Sequence, residues 1–308
     1  MREFWELLVE LSALFFVFRH NICMEEVMPY TIRQMLKEEA EEIFNWGKRE
    51  GWNCGLHDWD IMYDINPKGY LVGVLDGKVI GCIAAVHYEG KYSHLALLMV
   101  EPEYRGRGYG LALWKHALNY LNEEVGVDCI GLDAVLEREK DYQNWGFRSY
   151  YKIFGYTYKV DKKFTRPYPS IDERHFADIA EYDLKIFKVN RASFLHDYIF
   201  KTEAKTAVAY EGNRLVGFTV ARPCWRGYKA CPIFADTTEV AKGLLESVLA
   251  DLPGQMVTIE VPEPNKEAMR LPQDFDMKPW HPTVRMYTSD KYQQDIRYIY
   301  TNTTRVVG

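Results

Sequence analysis

The sequence has no disulfide or metal-ligand framework. Its six cysteines, Cys23, Cys54, Cys82, Cys129, Cys224 and Cys231, form no Cys-X-X-Cys pair and fall in no Cys/His cluster. This excludes a zinc ribbon and argues against a disulfide scaffold. Scattered single cysteines read as small buried hydrophobes in a reducing compartment, so the expected location is the cytoplasm. Positive charge is also short: 38 Lys and Arg face 44 Asp and Glu, a net charge of −6, with no basic stripe. That argues against nucleic acid as a partner and is compatible with a cationic substrate such as an amine. The apolar run from Leu7 to Phe18 is interrupted by Glu10 and falls short of the ~20 residues a membrane helix needs. Glu3 and Glu6 outweigh Arg2, and no small-residue cleavage site precedes His20, unlike a signal peptide. Residues 1–25 therefore read as an apolar extension, a helix packed on a domain or partner. A membrane-interface or targeting segment and a functionless extension are the alternatives.

What is present fits a soluble globular chain. At 47% apolar and 27% charged residues it is too apolar for disorder, and 308 residues are enough for two domains. From Tyr30 the pattern is regular. A short strand, TIRQML, precedes a helix from Lys37 to Glu50 with Ala40, Ile43 and Trp46 in phase. A polar aromatic loop, GWNCGLHDWD, follows. Two apolar runs then join at Asp76-Gly77, a hairpin signal. His94 to Val100 reads as a buried strand and Gly108 to Asn122 as a helix. Cys129 to Leu136 is a strand, followed by a short helix and SYYKIFGYTYKV as a terminal strand or pair. The result is a mixed α/β sheet. After the charged, proline-containing DKKFTRPYPS the pattern recurs. It runs through a helix from Asp172 to Phe187, a hairpin at Glu211-Gly212, the strand YKACPIF, a helix from Thr238 to Leu252 and the strand MVTIEV. This is a duplication. The domains are expected at 26–162 and 171–290, with a linker at 163–170. The tail at 291–308 has no assignable pattern.

The most informative stretch is LALLMVEPEYRGRGYGLALWKHALNYL. A buried strand ends at Val100, a turn holds Gly106, Gly108 and Gly110, and a helix starts directly after. Unpaired N–H groups and the dipole at a helix start favour an anion, and glycine lets backbone approach it closely. Arg105 and Arg107 add positive charge. The chemistry expected is the cradling of a pyrophosphate.

Arg105, Gly108 and Gly110 match the R/Q-x-x-G-x-G/A signature, and in this context residues 28–160 resemble the Gcn5-related N-acetyltransferases (GNAT). No Gly-Lys-Ser/Thr and no acidic ribose partner follow, unlike a P-loop or dinucleotide-binding turn. The resemblance implies acetyl-CoA as cosubstrate, no metal, and a strand splayed from its neighbour so that the pantetheine arm lies along Leu98, Met99 and Val100. It places the pyrophosphate on Arg105, Gly106, Arg107, Gly108, Tyr109 and Gly110. Tyr142, four residues before Gly146-Phe147, is similar to the family's Y-x-x-x-G-F element, where a Tyr often serves as general acid toward the departing thiolate. A packed aromatic is the alternative.

Acetyl transfer to an amine also needs loss of the ammonium proton and stabilisation of the carbonyl oxygen. The backbone N–H near Val100 suits the oxygen. His94, by strand alternation on one face with Ala96, Leu98 and Val100, is the candidate base. A structural histidine, Glu101, Glu103 or a water chain are the other readings. Trp52, Asp58, Trp59 and Tyr63 are expected in the acceptor pocket, where a carboxylate beside aromatic faces holds a cation. The acceptor itself, an amine-bearing small molecule or a peptide amine, stays open.

The second half departs from the signature. Counting back from its helix sets Asp236 against Arg105, Glu239 against Gly108 and Ala241 against Gly110, to within a residue or two, and about Arg270 against Tyr142. Carboxylates there would repel a pyrophosphate. This half resembles the C-terminal domain of YitH-type tandem GNAT proteins, which implies a degenerate second domain that shapes the acceptor pocket or supports the first. The expected activity is an acetyl-CoA-dependent N-acetyltransferase. A non-catalytic acyl-CoA-binding protein and a scaffold of duplicated folds are the rivals.

Overall fold

The computed structural model describes residues 30–88 and 91–308. The apolar extension at 1–25 lies outside the described residues. The first half runs β1 (Thr31–Gln34), α1 (Lys37–Arg49), α2 (Asp58–Tyr63), β2 (Tyr70–Leu75), β3 (Lys78–His87), β4 (Tyr92–Val100), α3 (Tyr109–Asn119), β5 (Cys129–Val135), α4 (Glu139–Asn144) and β6 (Arg148–Lys159). The second runs α5 (Phe176–Phe187), α6 (Ala192–Phe200), β7 (Lys205–Glu211), β8 (Arg214–Cys224), β9 (Gly227–Ala235), α7 (Thr238–Ala250), β10 (Met256–Pro262), α8 (Leu271–Asp274), β11 (Lys278–Tyr287) and β12 (Ile299–Thr301).

Local chemistry explains most of these elements. In α1 the buried residues Ala40, Ile43, Phe44, Trp46 and Gly47 form one stripe, and the Glu39 carboxylate reaches back to the Leu36 N–H at 2.8 Å. The β2–β3 turn has left-handed backbone at both Asp76 (φ 50°) and Gly77 (φ 76°), as a two-residue hairpin requires. Three short helices, α2, α6 and α8, escape the sequence reading. Asp58–Tyr63 lies in what reads as a polar loop, and its helix forms because Ile61, Met62 and Tyr63 find a core to cover.

The strands join into one sheet, ordered β1-β2-β3-β4-β5-β11-β6-β10-β9-β8-β7. The two halves have exchanged their last strands. β11 of the second half lies beside β5, with Arg285 opposite Asp133, while β6 of the first half pairs with β10 from Met256↔Lys159 to Pro262↔Ile153. On one face, α3 covers Leu71, Ile83, Leu95 and Leu132, and α7 covers a separate core around Val257 and Ile259. On the other face α1, α2, α5 and α6 share one core that crosses the boundary between halves.

Candidate active site

The site starts where two parallel strands part. β4 and β5 pair from Tyr92↔Cys129 to Leu95↔Leu132 and no further. On its other side β4 carries a bulge: Cys82 pairs with Met99 but Ala84 with Ala96, and Leu97 takes φ 54° to absorb the extra residue. The Glu101 N–H donates to Ile80 O of β3. By strand alternation Val100, one residue earlier, turns its N–H and C=O to the open side. The Val100 carbonyl accepts from Arg105 Nε at 2.7 Å, and the Arg105 guanidinium also pairs with Glu50 at the end of α1. Arg105 therefore ties the turn to the strand and to the first helix, and is not a free charge.

The bulge corrects one expectation. His94 shares its face with Tyr92 and the α1/α2 core, whereas Leu98 packs toward the α3 core and Val100 Cγ2 lies beside Gly110. His94 is thus on the opposite face from Leu98 and Val100, because an inserted residue inverts the alternation.

Between Val100 and α3 the chain makes the expected turn. Gly106 (φ 76°) and Gly108 (φ 88°) are left-handed, Gly108 caps α3, and a Cβ at either would meet nothing within 4 Å. The glycines serve the backbone's course, leaving open space over the helix start. Arg107 is exposed, with its guanidinium carbon 5.9 Å from the Tyr104 ring, and Tyr109 packs on Tyr30 at 4.7 Å. An unpaired strand edge leading to an open helix start fits an extended thioester with a diphosphate. The residues that would hold it are Leu98 to Val100 and Arg105 to Gly110.

Tyr142 on α4 lies against Trp114 of α3 (5.2 Å between ring centres), with Trp145 and Phe147 around it. Burial pushes its phenol above the ordinary value, so it keeps its proton at neutral pH.

His94 is fully buried. Its Nδ1 is 2.8 Å from the Tyr92 hydroxyl, and its Nε2 has no hydrogen-bond partner and lies 3.9 Å from Asp133 Oδ2. Asp133, the first β5 residue beyond the parting, is gripped by Arg285 at 2.6 and 3.0 Å, and Arg285 also donates to the Tyr287 hydroxyl. Burial, aided by the Arg285 charge, pulls the His94 pKa down to about 4. The unfolded chain, with an ordinary histidine, binds this proton first as pH falls. Stability is therefore lost as pH drops from about 6.5 to about 4, by on the order of 3 kcal/mol at 1.36 kcal/mol per unit. His94→Gln should remove that part of the slope. Urea unfolding of both proteins at pH 7 and pH 4.5 checks it, and equal slopes would contradict the assignment.

The residues expected around the acceptor are not gathered into a pocket. Asp58 is buried and both its oxygens accept from Arg222 of β8, at 2.8 and 3.1 Å. Burial opposes its charged form, but Arg222 outweighs burial and holds the carboxyl below its usual range. An ammonium would have to displace a buried guanidinium, so Asp58 is an interdomain anchor. The Tyr63 hydroxyl donates to Met35 O at 2.7 Å, and Trp52 and Trp59 pack on the core, Trp52 against Gly47. The whole loop is latched to the second half. Gly55 bridges to Cys224, Leu56 N–H donates to Pro223 O, and Asn53 Oδ1 accepts from Arg226 N–H at 2.8 Å. Asp133 and Arg285 escaped the sequence reading. The signal for them was a single charge inside each apolar strand, in CIGLDAV and TVRMY.

In the second half the same architecture is closed. β9 and β10 also part after two pairs, Val257↔Tyr228 and Thr258↔Lys229, and β8–β9 repeat the bulge, Thr219 opposite Ile233 but Ala221 opposite Ala230. Here the chain itself fills the gap. β12 pairs with β9, Thr301 Oγ1 accepts from Ile233 N–H at 2.6 Å, and Asn302 N–H donates to Glu260 O of β10. The glycine turn is missing. Residues 101–107 separate β4 from the Gly108 cap, whereas Asp236 alone separates β9 from the Thr237 cap of α7. Thr237 thus replaces Gly108, and Glu239 replaces Gly110, a two-residue correction. Asp236 itself is bonded to Tyr182 and Arg214. Among the described residues there is no metal-binding cluster and no helix long and apolar enough to cross a membrane.

Parted strands, a bulge and flanking helices, present twice, with a glycine turn in the first half, are the GNAT arrangement. The sequence bears this out: the acetyltransferase (GNAT) family matches residues 30–156, and a second acetyltransferase (GNAT) domain matches residues 179–301. The chain belongs to the GNAT superfamily, as a tandem of two such domains, and is an acyltransferase. It is 26% identical over 242 residues to holothin acyltransferase of Pseudoalteromonas sp. (strain SANK 73390), covering 78% of this chain and 81% of that one. It is 34% identical over 103 residues to rat N-acetylaspartate synthetase, a match spanning 31% of this chain and 34% of that protein. In fold it is similar to a putative acetyltransferase from Pyrococcus horikoshii (TM-score 0.74, 22% identity, 91% of this chain and 96% of that one). A tandem GNAT protein from the clavulanic acid biosynthesis pathway is also similar (TM-score 0.62, 13% identity, 84% of this chain and 98% of that one).

Proposed function

We propose that the first half binds acetyl-CoA and transfers its acetyl group to an amine, while the second half binds no CoA and supports the first. The observation that carries this is the contrast between the two partings: among the described residues no strand pairs with β4 on its β5 side beyond Leu95↔Leu132, whereas residues 299–302 pair into the gap beyond Thr258↔Lys229. The cosubstrate supplies an activated thioester. The chain supplies the rest. Val100 N–H, turned into the gap, donates to the thioester oxygen as charge builds there. Tyr142, kept protonated by burial, gives its proton to the departing sulfur. His94, held near a pKa of about 4, is too weak a base to keep the ammonium proton, so that proton leaves through water, the other route open to this chemistry. The described cysteines are buried and free, consistent with the cytoplasm.

Tyr142→Phe should lower kcat by roughly 10²-fold, the lower range for a lost general acid, and leave acetyl-CoA affinity unchanged. Steady-state kinetics beside calorimetric titration test this. Unchanged turnover would return Tyr142 to a packing role and weight to the non-catalytic binding reading.

A further inference from the structure

Resting on that reading of the first half, we propose that the acceptor reaches the reaction site through a cleft between the two halves. Residues Arg305–Gly308 form a strap across this path and move aside for turnover. The cleft, of about 350 Å³, is bounded by Ile61, Asn66 and His87 of the first half and by Arg191, Ser193 and Phe194 of the second. Its lining mixes Ile61, Ile65 and Phe194 with the carboxylates of Asp64 and Asp197, which suits a compact amine with an apolar body.

The floor of the cleft leads inward. Tyr88 lines the cleft, and its hydroxyl donates to Val307 O at 2.9 Å. Beyond Val307, Gly308 lies against the reaction-side residues. A Cβ added there would be 3.1 Å from the Tyr92 hydroxyl, 3.3 Å from His94 Nδ1 and 3.4 Å from Phe187. The strap thus separates two fully buried side chains, each with an unpartnered nitrogen: Arg191 Nη1 on the cleft side and His94 Nε2 on the reaction side. Buried donors and acceptors are rarely left unpaired, because each costs free energy. A guest with an acceptor atom, such as the lone pair of a neutral amine, would complete Arg191 Nη1.

The strap is held at two points, by the pairing of Arg305 with the buried Glu260 and by the burial of Val307 in the core, so its opening is a costly, gated step. Val306 and Val307 N–H groups donate locally to Thr304 Oγ1, both at 3.0 Å, and Arg305 donates to His281 O and pairs with Glu260. Val307 and Gly308 belong to no strand, unlike β12 just before them. Releasing the strap breaks no sheet ladder.

The test uses diethyl pyrocarbonate at pH 7, which modifies neutral histidine, on the full chain and on a chain ending at Thr304. Mass spectrometry reads the His94 peptide, and acetyl-CoA calorimetry runs alongside. His94 should be protected in the full chain and labelled at least about tenfold faster without the strap, since protection of a buried group reports its local opening. Adding Ser193→Trp to the shortened chain should slow labelling again, because the reagent would enter through the cleft. Equal protection in both chains overturns the strap, as does fast labelling of the full chain. Fast labelling despite Ser193→Trp overturns the route. If the shortened chain does not fold, Tyr88→Phe, which removes one bond to the strap, should speed labelling severalfold, and no change counts against the proposal. Absence of acetyl-CoA binding by the full chain would defeat the functional reading alone, since labelling of His94 needs no cosubstrate.

Discussion

Gly108→Glu should abolish acetyl-CoA binding while leaving the protein folded. Gly108 caps α3 at φ 88°, where an L-residue pays about 1–2 kcal/mol. The turn would relax by moving its N–H groups away from the anion they face. The new carboxylate would also confront the diphosphate, and like charges set against each other cost several kcal/mol. Together these amount to roughly 4 kcal/mol, about a thousandfold in Kd. Nothing in the protein lies within 4 Å of the new Cβ, so internal packing is spared. Calorimetry should find one acetyl-CoA site per wild-type chain and none in the variant, with both chains giving similar unfolding temperatures. Two sites in the wild type would mean that residues 299–302 do not block the second gap. Retained binding in the variant would place the diphosphate elsewhere.

Arg285→Ala should be the most destabilising single change at the junction of the halves. Arg285 is fully buried, forks Asp133 at 2.6 and 3.0 Å and reaches the Tyr287 hydroxyl. Removing it leaves Asp133 buried at 1% side-chain exposure without its partner. Breaking a buried pair in this way costs about 3–5 kcal/mol. In a chain of this size that is a fall on the order of 10 °C in Tm. Because β11 and β6 are exchanged, the loss should lower one cooperative transition and not only one half. Thermal unfolding followed by calorimetry checks this. A variant within 2 °C of wild type, or one that melts a single half, would contradict the reading.

Much of the candidate site was legible in the sequence because its chemistry is local. A glycine turn between a buried strand and an amphipathic helix needs only neighbours in the chain, and Arg105 to Gly110 form it as expected. Tyr142 was singled out by its likeness to the family's Y-x-x-x-G-F element, and the fold sets it against Trp114 of α3. Asp58 was legible as important but not in its role. A lone carboxylate beside tryptophans invites a cation, and only the fold reveals that the cation is Arg222, 164 residues away. His94 was misplaced by one bulge, which a single strand's pattern cannot show.

The sequence by itself determined the duplication, the hairpins, the glycine turn in one half and its loss in the other. Those features depend on side-chain periodicity and on glycine's freedom at positive φ, both local properties. Only the tertiary structure decided which strand lies beside which. Backbone hydrogen bonds between strands are nearly indifferent to side-chain identity, so partner choice follows from long-range packing. That is why β11 and β6 could change places, why the patternless tail became the strand that closes the second gap, and why the same tail comes to rest over His94.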